Sequence, residues 1–308
     1  MSAAALDGDG RIIGRARAKT KAWRGDEEVF ETVARVAQKA VERAGIARSD
    51  LAALGIGAPG PLDWETGYVI EAVNVGFKDF PLGPRLAERF GCRVVVDNDV
   101  NAGTYGEFKA GAARSARSVL GVFIGTGIGG GIILDGALYH GFSKNGGEIG
   151  HTIILAGGPR CGCGNRGCLE ALASRKAISR DIRKAIKQGH KTKMAKLLSR
   201  PGNLNSRALK KAYDSGDKLI ETIIDRAALY IGIGIGSAAN LLGPETVVLG
   251  GGVIEAFGDD MVERIDRSAR RMAFDNVAKE LKIVRAELGD DAGMIGAAIL
   301  ARESLDKG

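Results

Sequence analysis

Three times in this chain an apolar run suited to a buried strand stops at a cluster of glycines. Residues 51–56 lead into Gly57-Ala58-Pro59-Gly60-Pro61, residues 119–124 into Gly125-Thr126-Gly127-Ile128-Gly129-Gly130-Gly131, and residues 246–249 into Gly250-Gly251-Gly252. Short apolar runs bounded by turn residues read as strands, and the segments between them carry helical periodicity. This restricts the chain to an α/β architecture of mixed sheets flanked by helices, in which ligands gather at strand ends.

The remaining elements follow from the same patterning. Residues 2–6 and 11–19 read as two strands joined by the turn Asp7-Gly8-Asp9-Gly10. Residues 27–44 place Val29, Phe30, Val33, Val36, Ala37, Ala40 and Val41 on one face and end at Gly45, an amphipathic helix with a glycine stop. A helix is predicted at 84–90, a strand at 93–96, a helix at 100–112, a hairpin through 132–139, a long helix at 219–242, a strand at 281–286 and a helix at 292–302. The small, basic stretch 111–118 marks a boundary between two lobes, residues 1–113 with a C-terminal helix at about 292–308, and residues 114–291.

With 308 residues, 45% of them hydrophobic, the chain can bury a large core. No run approaches the ~20 apolar residues that span a bilayer. The first ten residues lack the basic and apolar regions of a signal peptide, so the expected location is the cytoplasm and no membrane partner is expected. The net charge of +7 comes from one segment. Residues 175–211 hold thirteen Lys or Arg and one acid, Asp181, so the rest of the chain is net negative. Ala177, Ile178, Ile182, Ala185 and Ile186 recur there at helical spacing, which predicts basic surface helices. Aromatic residues that would stack bases are absent from it, so a nucleic-acid partner is not expected.

His151, Cys161, Cys163 and Cys168 fall within eighteen positions and supply the donor set of a closed tetrahedral zinc site. Glycines at 162, 164 and 167 allow a short loop to wrap one ion. With four protein ligands no position is left for a substrate, so the zinc is structural. Glu148 precedes His151 by three residues and Glu170 follows Cys168 by two, so a metal that fixes the loop also fixes two carboxylates, good acceptors for the hydroxyls of a polyol. Cys92 begins an apolar run and is expected in the core.

Two other segments carry chemistry. The turn Gly125-Thr126-Gly127-Ile128-Gly129-Gly130-Gly131 offers unobstructed backbone N–H groups and a hydroxyl, which suit phosphate oxygens; an ordinary glycine hairpin is the alternative. It is no Walker loop, because no Gly-Lys-Ser/Thr follows. Asp97-Asn98-Asp99-Val100-Asn101 puts a carboxylate and amides at a strand end, where an aspartate can take a proton from an attacking hydroxyl. Helix capping by the same residues is the alternative.

In this order the motifs resemble the ROK family of bacterial sugar kinases and sugar-responsive repressors, within the actin-like ATPase (ribonuclease H-like) superfamily. The shared features are Gly-x-Pro-Gly, Asn-Asp at a strand end, the glycine-rich turn, Glu-x-Gly-His, Cys-x-Cys-Gly-x-x-Gly-Cys-x-Glu and a late Gly-Gly-Gly. The resemblance runs from residue 2 to about 300 and implies a two-lobe fold. It also implies an ATP-dependent kinase, with Mg²⁺ accompanying ATP, that phosphorylates the 6-hydroxyl of a hexose, glucose first. Asp99 matches the catalytic base. Gly60, Asn74, Asn98, Glu148, His151 and Glu170 match sugar-side positions. Gly125, Thr126, Gly127, Gly129 and Gly130 match the phosphate turn, and Gly250 and Gly251 the adenosine-side loop. A homodimer or homotetramer is implied as well. Kinases of N-acetylhexosamines, fructose or allose resemble the same pattern, as do sugar-binding members without kinase activity.

Family members usually begin with a strand carrying Asp-x-Gly-Gly-Thr, which cradles the nucleotide phosphates, and this sequence contains none. The expectation is therefore a fold lacking the first strand, from a start placed too far downstream or from a shortened protein, with impaired phosphoryl transfer in either case.

Overall fold

A computed structural model describes residues 1–72, 74–194 and 205–306. The chain opens with a hairpin, β1 (Ser2–Leu6) and β2 (Ile12–Arg17), whose turn is held by Asp7 Oδ1 accepting from the N–H groups of Asp9 and Arg11. Helix α1 (Asp26–Arg43) follows, with acids in its first turn and Arg43 in its last, as the helix dipole favours. Next come β3 (Ala53–Ala58), a small antiparallel sheet of β4 (Leu62–Asp63), β5 (Tyr68–Ala72) and β6 (Phe77–Phe80), then α2 (Leu82–Phe90) and β7 (Arg93–Asn98). Helix α3 (Asp99–Ala110) starts directly at the end of β7.

The second half is built on a five-stranded sheet of order β10-β9-β8-β11-β12. Its strands are β8 (Val119–Ile124), β9 (Ile128–Leu134), β10 (Ala137–Leu138), β11 (Thr246–Gly250) and β12 (Lys282–Arg285). Strands β8, β11 and β12 are parallel, and β9 runs antiparallel to both β8 and β10. Between β10 and β11 lie α4 (Leu169–Ala173), α5 (Arg175–Lys187), α6 (Ser206–Asp214) and the long α7 (Lys218–Leu242). Helices α8 (Gly252–Phe257), α9 (Asp259–Met272) and α10 (Asp275–Glu280) precede β12, and α11 (Ala292–Leu305) ends the described chain.

Two large hydrophobic cores stand out among the described residues. One gathers α1, α2, β3 and β7 around Phe30, Leu82, Leu86 and Val96; the other joins the five-stranded sheet to α7 and α9 through Leu120, Ile124, Ile231, Ile235 and Ile265. Helices α3 and α11 cross between them, and small residues set how close they come: a Cβ at Gly106 or Gly296 would overlap backbone of the opposing helix. In α7, Gly232 and Gly236 play the same part against α9, and Gly234 against Leu169.

Several expectations are refined. The strand expected at 51–56 lies two residues later, and β4, β5 and β6 were not anticipated, because their exposed positions break the apolar alternation. Helices α8 and α9 were also unassigned. The basic segment forms α5 and α6, while its residues 195–204 lie outside the described residues. Strands β1–β2 and β3–β7 form two separate pairs, and no ladder joins them among the described residues.

Candidate active site

The loop that carries the candidate metal ligands is closed by backbone pairing. Ile154 and Leu155 both donate N–H to the Gly167 carbonyl, Gly167 donates to Pro159, and Ile153 bridges Cys168. Gly167 has φ of +81°, and a Cβ there would overlap the Leu155 carbonyl, so a side chain at this turn is excluded twice over. The four donor atoms of His151, Cys161, Cys163 and Cys168 lie within 4.8 Å of one another. A tetrahedral zinc with ligand bonds of about 2.0–2.3 Å sets edges of about 3.8 Å between two sulfurs and about 3.6 Å between sulfur and nitrogen. The separations are 3.7 Å from Cys163 Sγ to Cys168 Sγ and 3.6 Å from Cys161 Sγ to His151 Nδ1. The residues fit zinc. Burial pushes the Cys168 thiol up to about 12, so a cation is what would hold it as thiolate.

With Nδ1 of His151 turned to the metal position, its Nε2 lies 4.0 Å from Glu148 Oε2. Glu170, carried on α4 just after Cys168, accepts from the Ile128 N–H at 3.0 Å. A Cβ at Gly127 would overlap that carboxylate. Gly127 is therefore required by the approach of Glu170. Burial raises the Glu148 carboxyl above the usual range, the His151 ring opposes this, and the negative charges of Glu170 and Asp99 raise it further. Glu148 thus feels the charges of both Glu170 and Asp99.

Asp99 is the first residue of α3. The residue keeps an exposed surface, yet protein surrounds the carboxyl on most sides; this desolvation raises its pKa, against the N–H groups of Val100 and of Asp99 itself. Asn98 caps the helix: its Oδ1 accepts from Val100 N–H at 2.8 Å and Asn101 N–H at 3.2 Å. Capping and ligand binding are compatible, because the Asn98 amide nitrogen is left over and lines the same pocket as Gly60 and Glu148. Asn74, by contrast, stands exposed in the turn between β5 and β6, outside that pocket's lining.

Sequence reasoning missed the support beneath Asp99. Buried Asp97 accepts from Asn98 N–H at 2.7 Å and Asn101 Nδ2 at 3.0 Å, and its second oxygen lies 2.7 Å from His140 Nε2. The His140 ring stacks on Trp64 at 4.3 Å. Lys144 Nζ reaches Asp63 at 2.6 Å and Glu65 at 2.5 Å, holding the Asp63 carboxyl below its usual range. Partners 43 and 81 residues apart leave no local signal in the sequence.

The turn expected to meet phosphate is shorter than its glycine run. Only residues 125–127 turn, with Gly125 N–H donating to the Gly127 carbonyl at 2.9 Å, and Gly129 and Gly130 lie within β9. There a Cβ at Gly129 would press on Val100 and one at Gly130 on the Gly147 carbonyl, so these glycines admit α3 and the following loop. Gly250 ends β11 opposite Phe123, and Gly251 abuts the Ile124 backbone, which sets the two glycine turns side by side at parallel strand ends.

Compared with known proteins, residues 1–304 match the model of the ROK family. The glucokinase of Halalkalibacterium halodurans is 36% identical over 303 residues, covering 97% of this chain and 92% of that protein. Among solved structures, the ROK hexokinase from Thermus thermophilus is 35% identical, with a TM-score of 0.81 and 100% of both chains covered. A ROK family glucokinase from Streptomyces griseus, solved in complex with glucose and AMPPNP, is 31% identical with a TM-score of 0.82, covering 97% of this chain and 95% of that one. The mixed α/β fold is that of the actin-like sugar kinases, as the motifs led one to expect.

Proposed function

This chain belongs to the ROK family, and from that premise we propose that it phosphorylates a hexose, glucose first, at the 6-hydroxyl with ATP as donor. The carrying observation is the pocket lined by Gly60, Asn98 and Glu148 at the end of β7, where Asp99 follows directly in the chain, with the Glu170 carboxylate held at the glycine turn by the Ile128 N–H. Asp99 takes the proton of the attacking hydroxyl. Its raised pKa brings it closer to the value at which a base both stays ionised and accepts a proton well. Glu148, the His151 Nε2 side and the Asn98 amide receive the remaining hydroxyls. Zinc, held by His151, Cys161, Cys163 and Cys168, supplies structural rigidity to this wall. The Thr126 hydroxyl and the N–H groups of Thr126 and Gly127 face the transferring phosphates in a turn that Gly125 closes by its own N–H. Gly129 and Gly130 back it from β9, Gly250 and Gly251 face the adenosine side, and Mg²⁺ enters with ATP.

We assign residues 1–113 and the C-terminal helix to one lobe and 114–291 to the other, with the cytoplasm, where ATP is available, as the site of action. Assembly into a homodimer or homotetramer has an apolar face available at Leu241 and Phe274, both exposed.

A coupled assay with glucose and ATP tests the reading. Wild type is expected to turn over, and Asp99→Asn to lose about 10²- to 10⁴-fold in kcat while still binding glucose. Undiminished turnover in Asp99→Asn removes Asp99 as base. Glucose binding without phosphorylation in the wild type would instead favour a sugar-binding regulator, and faster turnover of N-acetylhexosamines or fructose would reassign the substrate.

A further inference from the structure

The two glycine turns meet at Arg175, the first residue of α5. Its backbone N–H donates to the Gly125 carbonyl at 3.0 Å and its Nη2 to Thr126 Oγ1 at 2.6 Å. The Nε is buried and has no hydrogen-bond partner. Ser206, the first residue of α6, is 6% exposed, and its hydroxyl is likewise buried and unpartnered. The two side chains approach one place, the Arg175 side through its Nη1. A Cβ built at Gly252 would stand 3.8 Å from Ser206 Oγ and 4.0 Å from Arg175 Nη1. Two of the four side chains that hold an orphaned buried atom among the described residues therefore meet beside Gly252, with the Arg175 guanidinium reaching on to Thr126.

A buried donor without an acceptor is costly unless a ligand completes it, and a guanidinium presents its donors as a planar fork that matches phosphate oxygens. We infer that Arg175 binds the phosphate chain of the nucleotide donor, with the Ser206 hydroxyl as a second polar contact to the same ligand. This deepens the proposed kinase reading and rests on it for the identity of the nucleotide. It gives the basic segment a function at its first residue: one of its thirteen cations faces the cleft, at the point where charge must be neutralised for phosphoryl transfer.

Titration calorimetry of the full chain with MgATP, MgADP and adenosine, on wild type, Arg175→Ala, Arg175→Lys and Ser206→Ala, tests this. Arg175→Ala is expected to weaken MgATP roughly 10- to 100-fold, as loss of a charged hydrogen-bond donor does. Adenosine and glucose affinities should stay unchanged, and Arg175→Lys should retain part of the MgATP affinity. A purely structural role would lower adenosine and MgATP alike. Equal MgATP affinity in Arg175→Ala and wild type overturns the inference, as does a wild type that binds no MgATP. If Arg175→Ala does not fold, Arg175→Gln decides in its place. The kinase reading is judged separately: MgATP binding that depends on Arg175, without phosphorylation of glucose, sinks that reading and leaves this one standing.

Discussion

Asp99 can act as a base only when ionised. Desolvation raises its carboxyl, so protonation sets in at a higher pH than for a free aspartate, near ~3.9. Because the ionised form is the active one, kcat/KM should fall as the pH drops through that raised value. A pH profile whose acid limb lies at or below the ordinary aspartate range would count against Asp99 as the base. The residue itself was legible in the sequence, since Asp97-Asn98-Asp99 stands at a strand end. What the sequence left open was capping or ligand binding, and for Asn98 the two divide by atom: its Oδ1 caps α3, while its amide nitrogen is left over beside the pocket that Asn98 lines. His140 and Lys144 were not legible, because their partners Asp97 and Asp63 become neighbours only after the chain has folded.

At the scale of elements, the metal loop and the long helix make different demands. Cys163 is exposed at the rim of its cluster, and Cys163→Ser should abolish stoichiometric zinc, measured by atomic absorption. It should also weaken glucose more than ATP, since the loop places Glu148 and His151. Equal loss for both ligands would mean the zinc supports the whole fold rather than the sugar wall. In α7, Gly232 meets α9 so closely that a side chain would overlap Ser268. A valine there should destabilise by about 1–3 kcal/mol in urea unfolding, although glycine is itself ~1 kcal/mol unfavourable in a helix. Periodicity was enough to place α1, α3, α7 and α11 to within a few residues. It did not reveal β4, β5 and β6, whose faces alternate poorly because exposed Glu71, Lys78 and Asp79 interrupt them. The run from Gly125 to Gly131 read as one turn; pairing with β8 makes most of it a strand, and its glycines serve close packing.

The whole molecule ties its two cores together across the cleft. Asp97 with His140, and Lys144 with Asp63 and Glu65, join the β3–β7 side to the loop after β10. A ligand that binds only the folded cleft stabilises both sides, by about 2.7 kcal/mol at a hundredfold excess over Kd. Glucose should therefore raise the melting temperature in one cooperative transition seen by calorimetry; no shift at saturating glucose would argue that the cleft does not bind it. The sequence by itself determined the α/β class, the zinc donor set and the candidate base, because each is written in local spacing: strand runs ending in glycine, ligands within eighteen positions, an aspartate before a helix. Only the tertiary structure decided why the glycines of β9 are there, what supports Asp97, and where Arg175 points. Those depend on which surfaces come into van der Waals contact across long sequence separations, and no local pattern encodes that.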